Sequence, residues 1–71
     1  MRVKALIGSN SNDLSRTYVY LDQDQWDLWE PAIEFRDIDE LSPEEQLEIL
    51  ESNVEEWLID ANFALHILLR G

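Results

Sequence analysis

The chain has 71 residues, and its sixteen acids and five bases give a formal net charge of −11 at pH 7. A length of this order predicts one small domain over residues 1–71 and excludes a second hydrophobic core. Because the sequence contains no cysteine, disulfides, thiolate metal sites and cysteine nucleophiles are excluded. The charge argues against direct binding to nucleic acid or to an anionic membrane and favours a basic protein partner.

The N-terminal segment bears on the location of the protein. Arg2 and Lys4 accompany an apolar run that ends at Gly8, which is too short for a signal peptide. No apolar stretch approaches the roughly 20 residues of a membrane-spanning helix. Since small secreted domains usually depend on disulfides, we expect a cytoplasmic protein.

The first 21 residues have the pattern of a β-hairpin. Residues 2–7 and 17–21 are short segments rich in branched and aromatic side chains, and Val3, Ala5 and Ile7 alternate along the first. Turn-forming residues fill positions 8–13 between them. The pattern therefore predicts two antiparallel strands joined by that turn.

The next segment predicts a short helix near residues 23–30. Acids at its start suit the positive end of a helix dipole, and Trp26 and Trp29 are spaced i, i+3. Pro31 then ends the helix. In residues 32–35, Ile33 and Phe35 alternate with Glu34, which indicates a brief third strand.

The strongest local signal is the start of a helix at Ser42. Ser42 supplies an N-cap hydroxyl, Pro43 takes the first helical position and Glu45 follows three residues after the cap. Apolar residues then recur at spacings of three and four, which predicts one face of a long helix: Leu47, Leu50, Val54, Trp57, Ala61, Ala64 and Leu68. Residues 62–70 also fit a final strand, so the helix is preferred there but the strand stays open.

The predicted fold class is α+β. An N-terminal β-hairpin packs on a long C-terminal amphipathic helix, with the short helix near 23–30 between them. The last turns of that helix would be apolar nearly all round and would need burial on two sides. We therefore expect a homodimer through Phe63, Ile67 and their neighbours.

Candidates for catalysis and metal binding are weak. His66, the only histidine, lies in an apolar run and is expected at the edge of a core with one ring nitrogen hydrogen-bonded. Residues 22–24 and 37–39 begin like calcium loops, but neither has glycine at the sixth position or an oxygen ligand at the fifth that suits an EF-hand. We expect no enzyme, no cofactor and no metal.

The three tryptophans are Trp26, Trp29 and Trp57. Base-stacking platforms lie in positive grooves, whereas these residues lie among acids. Core packing is the first expectation for them. The alternative is that Trp26 or Trp29 is an exposed anchor for a protein partner, a role in which tryptophan is enriched.

The acids are concentrated, since residues 22–60 contain fifteen acids and a single base, Arg36. Such a bias exceeds what solubility needs, and its self-repulsion lowers the stability of a compact state. We expect a functional acidic face that binds protein, formed by Asp24, Asp27, Glu30, Asp37, Asp39, Glu40, Glu44, Glu48, Glu51 and Glu55. On the predicted long helix, Glu44, Glu48, Glu51 and Glu55 would form one stripe.

These features predict a non-enzymatic inhibitor that docks its carboxylates on the basic nucleic-acid-binding surface of a target protein. The carboxylates would satisfy lysine and arginine side chains that otherwise bind phosphates. An origin in a phage or mobile element is suggested by analogy alone. Two alternatives stay open: an antitoxin or immunity-type partner of a basic toxin, and an adaptor subunit that uses its apolar C-terminal segment.

Overall fold

The computed structural model describes residues 1–9 and 16–70, which form a small α+β fold with short helices and a four-stranded mixed sheet. In chain order the elements are α1 (Val3–Ser9), β1 (Thr17–Tyr20), α2 (Gln23–Leu28), β2 (Ile33–Glu34), a 3₁₀ helix (Phe35–Glu40), α3 (Pro43–Glu51), β3 (Val54–Ile59) and β4 (Leu65–Leu69).

The sheet has the strand order β2-β1-β4-β3, so its two central strands come from opposite ends of the chain. β1 and β4 are parallel, and both edge strands are antiparallel to their neighbours. The register places four residues in one row across the sheet: Glu34, Tyr18, His66 and Leu58. Because side chains alternate along a strand, this row and its neighbours share one face.

The hydrophobic core lies on the other face of the sheet. Helices α1 and α3 contribute Val3, Leu6 and Ile49, and the 3₁₀ helix contributes Phe35. The strands contribute Val19, Leu65, Ile67 and Leu69. These alternate with Tyr18, Tyr20, His66 and Leu68, which lie on the face away from α1 and α3.

The predicted N-terminal hairpin is wrong, because residues 3–9 form helix α1. The segment is short enough that its apolar residues fit both periods, and the helix buries Val3 and Leu6 at i, i+3. The N–H of Val3 donates to the Ser52 carbonyl at 3.0 Å, and the N–H of Val54 donates to the Met1 carbonyl at 2.7 Å. These bonds hold the N-terminus beside the start of β3. Of the predicted turn, residues 10–13 lie outside the described residues.

The predicted long C-terminal helix is also wrong. Helix α3 ends at Glu51, where Ser52 donates its hydroxyl to the Glu48 carbonyl at 2.7 Å and takes an extended backbone. The rest of the segment forms the β3–β4 hairpin, so the strand alternative for the last residues is the correct one. The predicted apolar face was misplaced as well, because Ile49 is buried whereas Leu47 is 59% exposed.

Three local predictions are confirmed. The short helix is α2, with Asp22 as its N-cap, and the brief strand is β2. At the start of α3, the Ser42 hydroxyl accepts the N–H of Glu45 at 3.2 Å, and Pro43 takes the first helical position. Among the described residues, no helix is long and apolar enough to cross a membrane.

Candidate functional site

The face of the sheet away from the core carries a cluster of aromatic rings. Strand β1 places Tyr18 and Tyr20 there, and the parallel strand β4 places His66 beside them. The rings of Tyr18 and His66 are stacked, with centroids 5.2 Å apart and planes 25° from parallel. Helix α2 adds Trp26 and Trp29, whose ring centroids lie 5.1 and 6.2 Å from that of Tyr20. The cluster joins residues distant in sequence into one surface.

Trp29 has an uncommon conformation in this cluster. It is the C-cap of α2, with φ 56° and ψ 38°, a left-handed backbone that a bulky residue rarely adopts. Its ring stands nearly perpendicular to that of His66, at a centroid distance of 5.1 Å, yet 53% of the residue is exposed. Core packing, the first expectation for the tryptophans, is therefore wrong for Trp29 and also for Trp57, which is 43% exposed on β3. The exposure of Trp29 agrees with the alternative expectation.

A hydrogen-bonded chain runs through the cluster from Tyr20 to Asp60. His66 Nε2 lies 2.8 Å from Asp60 Oδ2, and the Tyr20 hydroxyl lies 2.7 Å from His66 Nδ1. Because a carboxylate only accepts, Nε2 carries the proton, and in the neutral ring Nδ1 accepts from Tyr20. His66 was expected to have one bonded nitrogen, whereas both are bonded and the residue is only 8% exposed. These two hydrogen bonds fix the orientation of the His66 ring.

The Asp60 carboxylate is held by three nearby residues. Its Oδ1 atom accepts the N–H groups of Asn62 at 2.8 Å and of Ala64 at 3.1 Å, which closes the β3–β4 turn. The hydrogen bond from His66, followed by that from the Ala64 N–H, lowers the pKa of Asp60. Burial, with smaller contributions from Tyr18 and Asp60, raises the pKa of Tyr20. At neutral pH Asp60 is thus ionised and Tyr20 is protonated.

Because the pKa of Asp60 is lowered in the folded chain, we expect the contribution of Asp60 to the free energy of unfolding to depend on pH. A carboxyl whose pKa is lower in the folded chain stabilises it above the unfolded pKa, and this contribution disappears as the pH falls through the folded pKa. We expect Asp60→Asn to lower the free energy of unfolding at pH 7 and to have a smaller effect at about pH 3. Urea unfolding of both proteins at the two pH values measures this. An equal loss at both would show that the charge of Asp60 does not contribute.

The aromatic rings line a shallow pocket of about 320 Å³. We call it the aromatic pocket, and its lining residues are Tyr18, Tyr20, Trp29, Pro31, Glu34, Asp60 and His66. In the row across the sheet, Glu34 is next to Tyr18, and Asp60 bonds to His66. The pocket therefore combines aromatic walls with carboxylates beside both stacked rings.

Two further depressions lie around the β2 edge of the sheet, and we call them together the acidic groove. Only the first adjoins the aromatic pocket. The first, of about 360 Å³, shares Pro31 and Glu34 with the aromatic pocket and is also lined by Ala32, Ile33, Asp37, Glu40 and Leu41. The second, of about 280 Å³, shares Ile33 and Leu41 with the first and is also lined by Leu21, Glu45, Glu48, Ile49, Ser52 and Leu69. Five carboxylates thus line two depressions that share the apolar residues Ile33 and Leu41.

The structure divides the ten predicted acidic residues among several elements. Asp37, Glu40 and Glu48 line the acidic groove, together with Glu34 and Glu45, which are not among the ten predicted residues. Asp39 and Glu44 are exposed in the same stretch of chain. Asp24 and Asp27 lie on α2 and Glu30 follows it, beside the opposite face of the sheet. The predicted set is therefore not one surface.

The predicted stripe of four glutamates is wrong. Glu55 lies on β3 because α3 ends at Glu51, and Arg70 donates to Glu55 at 2.8 Å. Glu51 pairs with both Arg2 and Lys4, and hydrogen bonding to Lys4, more than to Arg2, lowers the pKa of Glu51. Glu51 and Glu55 are thus paired within the chain, and of the four predicted glutamates only Glu44 and Glu48 lie on α3 without an ion pair to a described residue.

The expected dimer surface is not exposed as predicted. Ile67 is fully buried under the helices, so it cannot contact a second copy without unfolding. Phe63 is 71% exposed in the β3–β4 turn. The adjacent strand β3 is an edge of the sheet and exposes Trp57 and Ile59.

Comparison with known proteins finds no matching family model, no matching curated protein and no matching solved structure.

Within residues 1–9 and 16–70, no group of three or more histidine and carboxylate side chains is placed to hold a metal ion. The two segments that resemble the start of calcium loops form the cap and first turn of α2 and part of the 3₁₀ helix instead.

Proposed function

We propose that this chain is a non-enzymatic binding protein whose acidic groove docks on a basic surface of a partner protein. The observation that carries the proposal is that two adjoining depressions share the apolar residues Ile33 and Leu41 and are lined by five carboxylates, those of Glu34, Asp37, Glu40, Glu45 and Glu48. Lysine and arginine side chains of a partner would meet the carboxylates, and an apolar residue would cover Ile33 and Leu41. Such an interface has a polar rim around an apolar centre.

The charge state of the groove supports this proposal. Glu34 pairs with Arg36 at 2.8 Å, whereas the other four carboxylates form no ion pair within the described part of the chain. Those four are exposed, so their attraction for a basic partner is not cancelled internally. A net charge of −11 also accelerates encounter with a basic surface.

The class of partner that we propose is a nucleic-acid-binding protein. Surfaces that bind phosphates carry clustered lysine and arginine side chains, and carboxylates can satisfy the same donors. The acidic groove would then compete with nucleic acid for this surface and inhibit the partner. The carboxylates that would meet the partner are those of the groove and not those of the predicted helical stripe, which the structure lacks.

Capture with matched variants tests the proposal. In the groove variant, Asp37→Asn, Glu40→Gln, Glu45→Gln and Glu48→Gln remove four charges. In the control variant, Asp24→Asn, Asp27→Asn, Glu30→Gln and Glu56→Gln remove four charges at residues that do not line the groove. Each variant and the unchanged chain would be immobilised and exposed to a host lysate at low salt.

We expect the unchanged chain and the control variant to retain the same nucleic-acid-binding protein and the groove variant to lose it. The variants have equal net charge, so a difference between them reports the location of the charge. Retention of the same proteins by all three would contradict docking at the groove. Loss from both variants would show that only total charge matters and would also contradict it.

A further inference from the structure

The aromatic pocket has features that suit a planar cation. Its lining includes the stacked rings of Tyr18 and His66, and Trp29, whose ring stands nearly perpendicular to that of His66. The faces of aromatic rings attract cations, most strongly when the cation leaves water. Trp29 also has a costly backbone conformation for a tryptophan, and such strain is concentrated at functional sites.

Two carboxylates complete the pocket. Asp60 is ionised and fixed by the His66 ring and by two backbone N–H groups. Glu34 has its Oε2 atom paired with the exposed Arg36, and Oε1 has no hydrogen bond to any described residue. A group with several N–H donors in one plane could therefore stack on the rings and reach a carboxylate.

We propose that the aromatic pocket binds an arginine side chain of the basic partner. The guanidinium group is planar and weakly hydrated and stacks on aromatic rings, whereas a lysine ammonium is a compact, strongly hydrated charge. The pocket volume of about 320 Å³ lies in the range of small-ligand sites. Because the pocket shares Pro31 and Glu34 with the acidic groove, one partner segment could occupy both, so the origin of the arginine rests on the proposed function.

Blocked amino acids test this inference without a partner. The probes are Nα-acetyl-arginine methylamide, the corresponding citrulline and the corresponding lysine, added to ¹⁵N-labelled protein. We expect the arginine probe to shift the Trp29 indole N–H and the Tyr18 and His66 amides in a saturable way. Binding of the neutral citrulline probe and of the lysine probe should be at least about tenfold weaker.

Two protein variants make the result specific. In Trp29→Gly the left-handed backbone costs little, so the fold should persist while the shifts at Tyr18 and His66 are lost. The groove variant should keep them, because none of its four residues lines the aromatic pocket. Equal shifts with citrulline, unchanged binding by Trp29→Gly, or loss of binding by the groove variant would each overturn the inference.

The outcome is separate from that of the proposed function. If no arginine shift is seen while groove-dependent capture of a partner persists, the pocket inference alone is wrong. If the arginine probe binds but capture does not depend on the groove, the proposed function is wrong and the pocket remains an arginine site.

Discussion

The affinity of the isolated partner for the chain will fall about 100-fold when the four carboxylates of the groove variant are neutralised, because each exposed ion pair contributes up to about 1 kcal/mol. The altered residues are Asp37, Glu40, Glu45 and Glu48. All four are exposed and line the two depressions that meet at Ile33 and Leu41. Titration calorimetry or surface plasmon resonance at fixed salt measures the change.

The control variant carries the same net charge and should bind within a few-fold of the unchanged chain. Its residues lie on α2, just after it, and on β3, and none of them lines the groove. The loss in the groove variant should also shrink at high salt, since exposed charges are screened. A similar loss in both variants would contradict a localised docking surface.

Replacing Ile67 by alanine will lower the free energy of unfolding by about 2–5 kcal/mol, because a buried isoleucine leaves a cavity and loses its transfer free energy. Ile67 is fully buried in the centre of β4, between β1 and β3. A chain of 71 residues has a total stability of roughly 4–10 kcal/mol, so the variant loses a large part of it.

Leu47→Ala provides the matched control for this prediction. Leu47 is 59% exposed on α3, so its replacement should change the stability by less than about 0.5 kcal/mol. Urea unfolding of the three proteins measures both effects. If Leu47→Ala were the more destabilising variant, the result would favour a long amphipathic helix over the β3–β4 hairpin. If Ile67→Ala changed only the oligomeric state, the burial of Ile67 within one chain would be contradicted.

Elements with a local cap could be predicted from the sequence. Ser42, Pro43 and Glu45 specify the start of α3 through bonds within one turn, and Asp22 does the same for α2. The sequence does not predict the end of α3, because the apolar spacing of three and four continues through Val54 and Trp57. Ser52 ends the helix by bonding its hydroxyl to Glu48, a signal that is local but weaker than periodicity.

Elements that depend on distant partners could not be predicted in the same way. The segment at residues 3–9 fits either period, and only its packing against α3 and the hydrogen bonds to the start of β3 select the helix. Strand β4 pairs in parallel with β1, which is more than forty residues earlier in the chain. Neither the packing of α1 against α3 nor the pairing of β4 with β1 produces a periodic pattern in the sequence.

In the candidate site, too, local features could be predicted from the sequence and tertiary contacts could not. The excess of acids predicted a surface for a basic partner, but the pairing of Glu51 and Glu55 with nearby bases depends on the tertiary structure. Glu34 and Glu45 enter the groove because β2 and α3 bring them to Ile33 and Leu41. The hydrogen bonds that link Tyr20, His66 and Asp60 depend on the pairing of β1 with β4, which no local pattern in the sequence indicates.

Competition with nucleic acid tests the proposed function most directly. The captured partner would be bound to fluorescent duplex DNA and titrated with the chain, the groove variant and the control variant while anisotropy is followed. We expect the chain and the control variant to displace the DNA and the groove variant to require about 100-fold more protein. Two results would contradict the proposal that the acidic groove occupies the nucleic-acid-binding surface. The DNA could stay bound to the partner at a saturating concentration of the unchanged protein, or the groove variant could displace the DNA equally well.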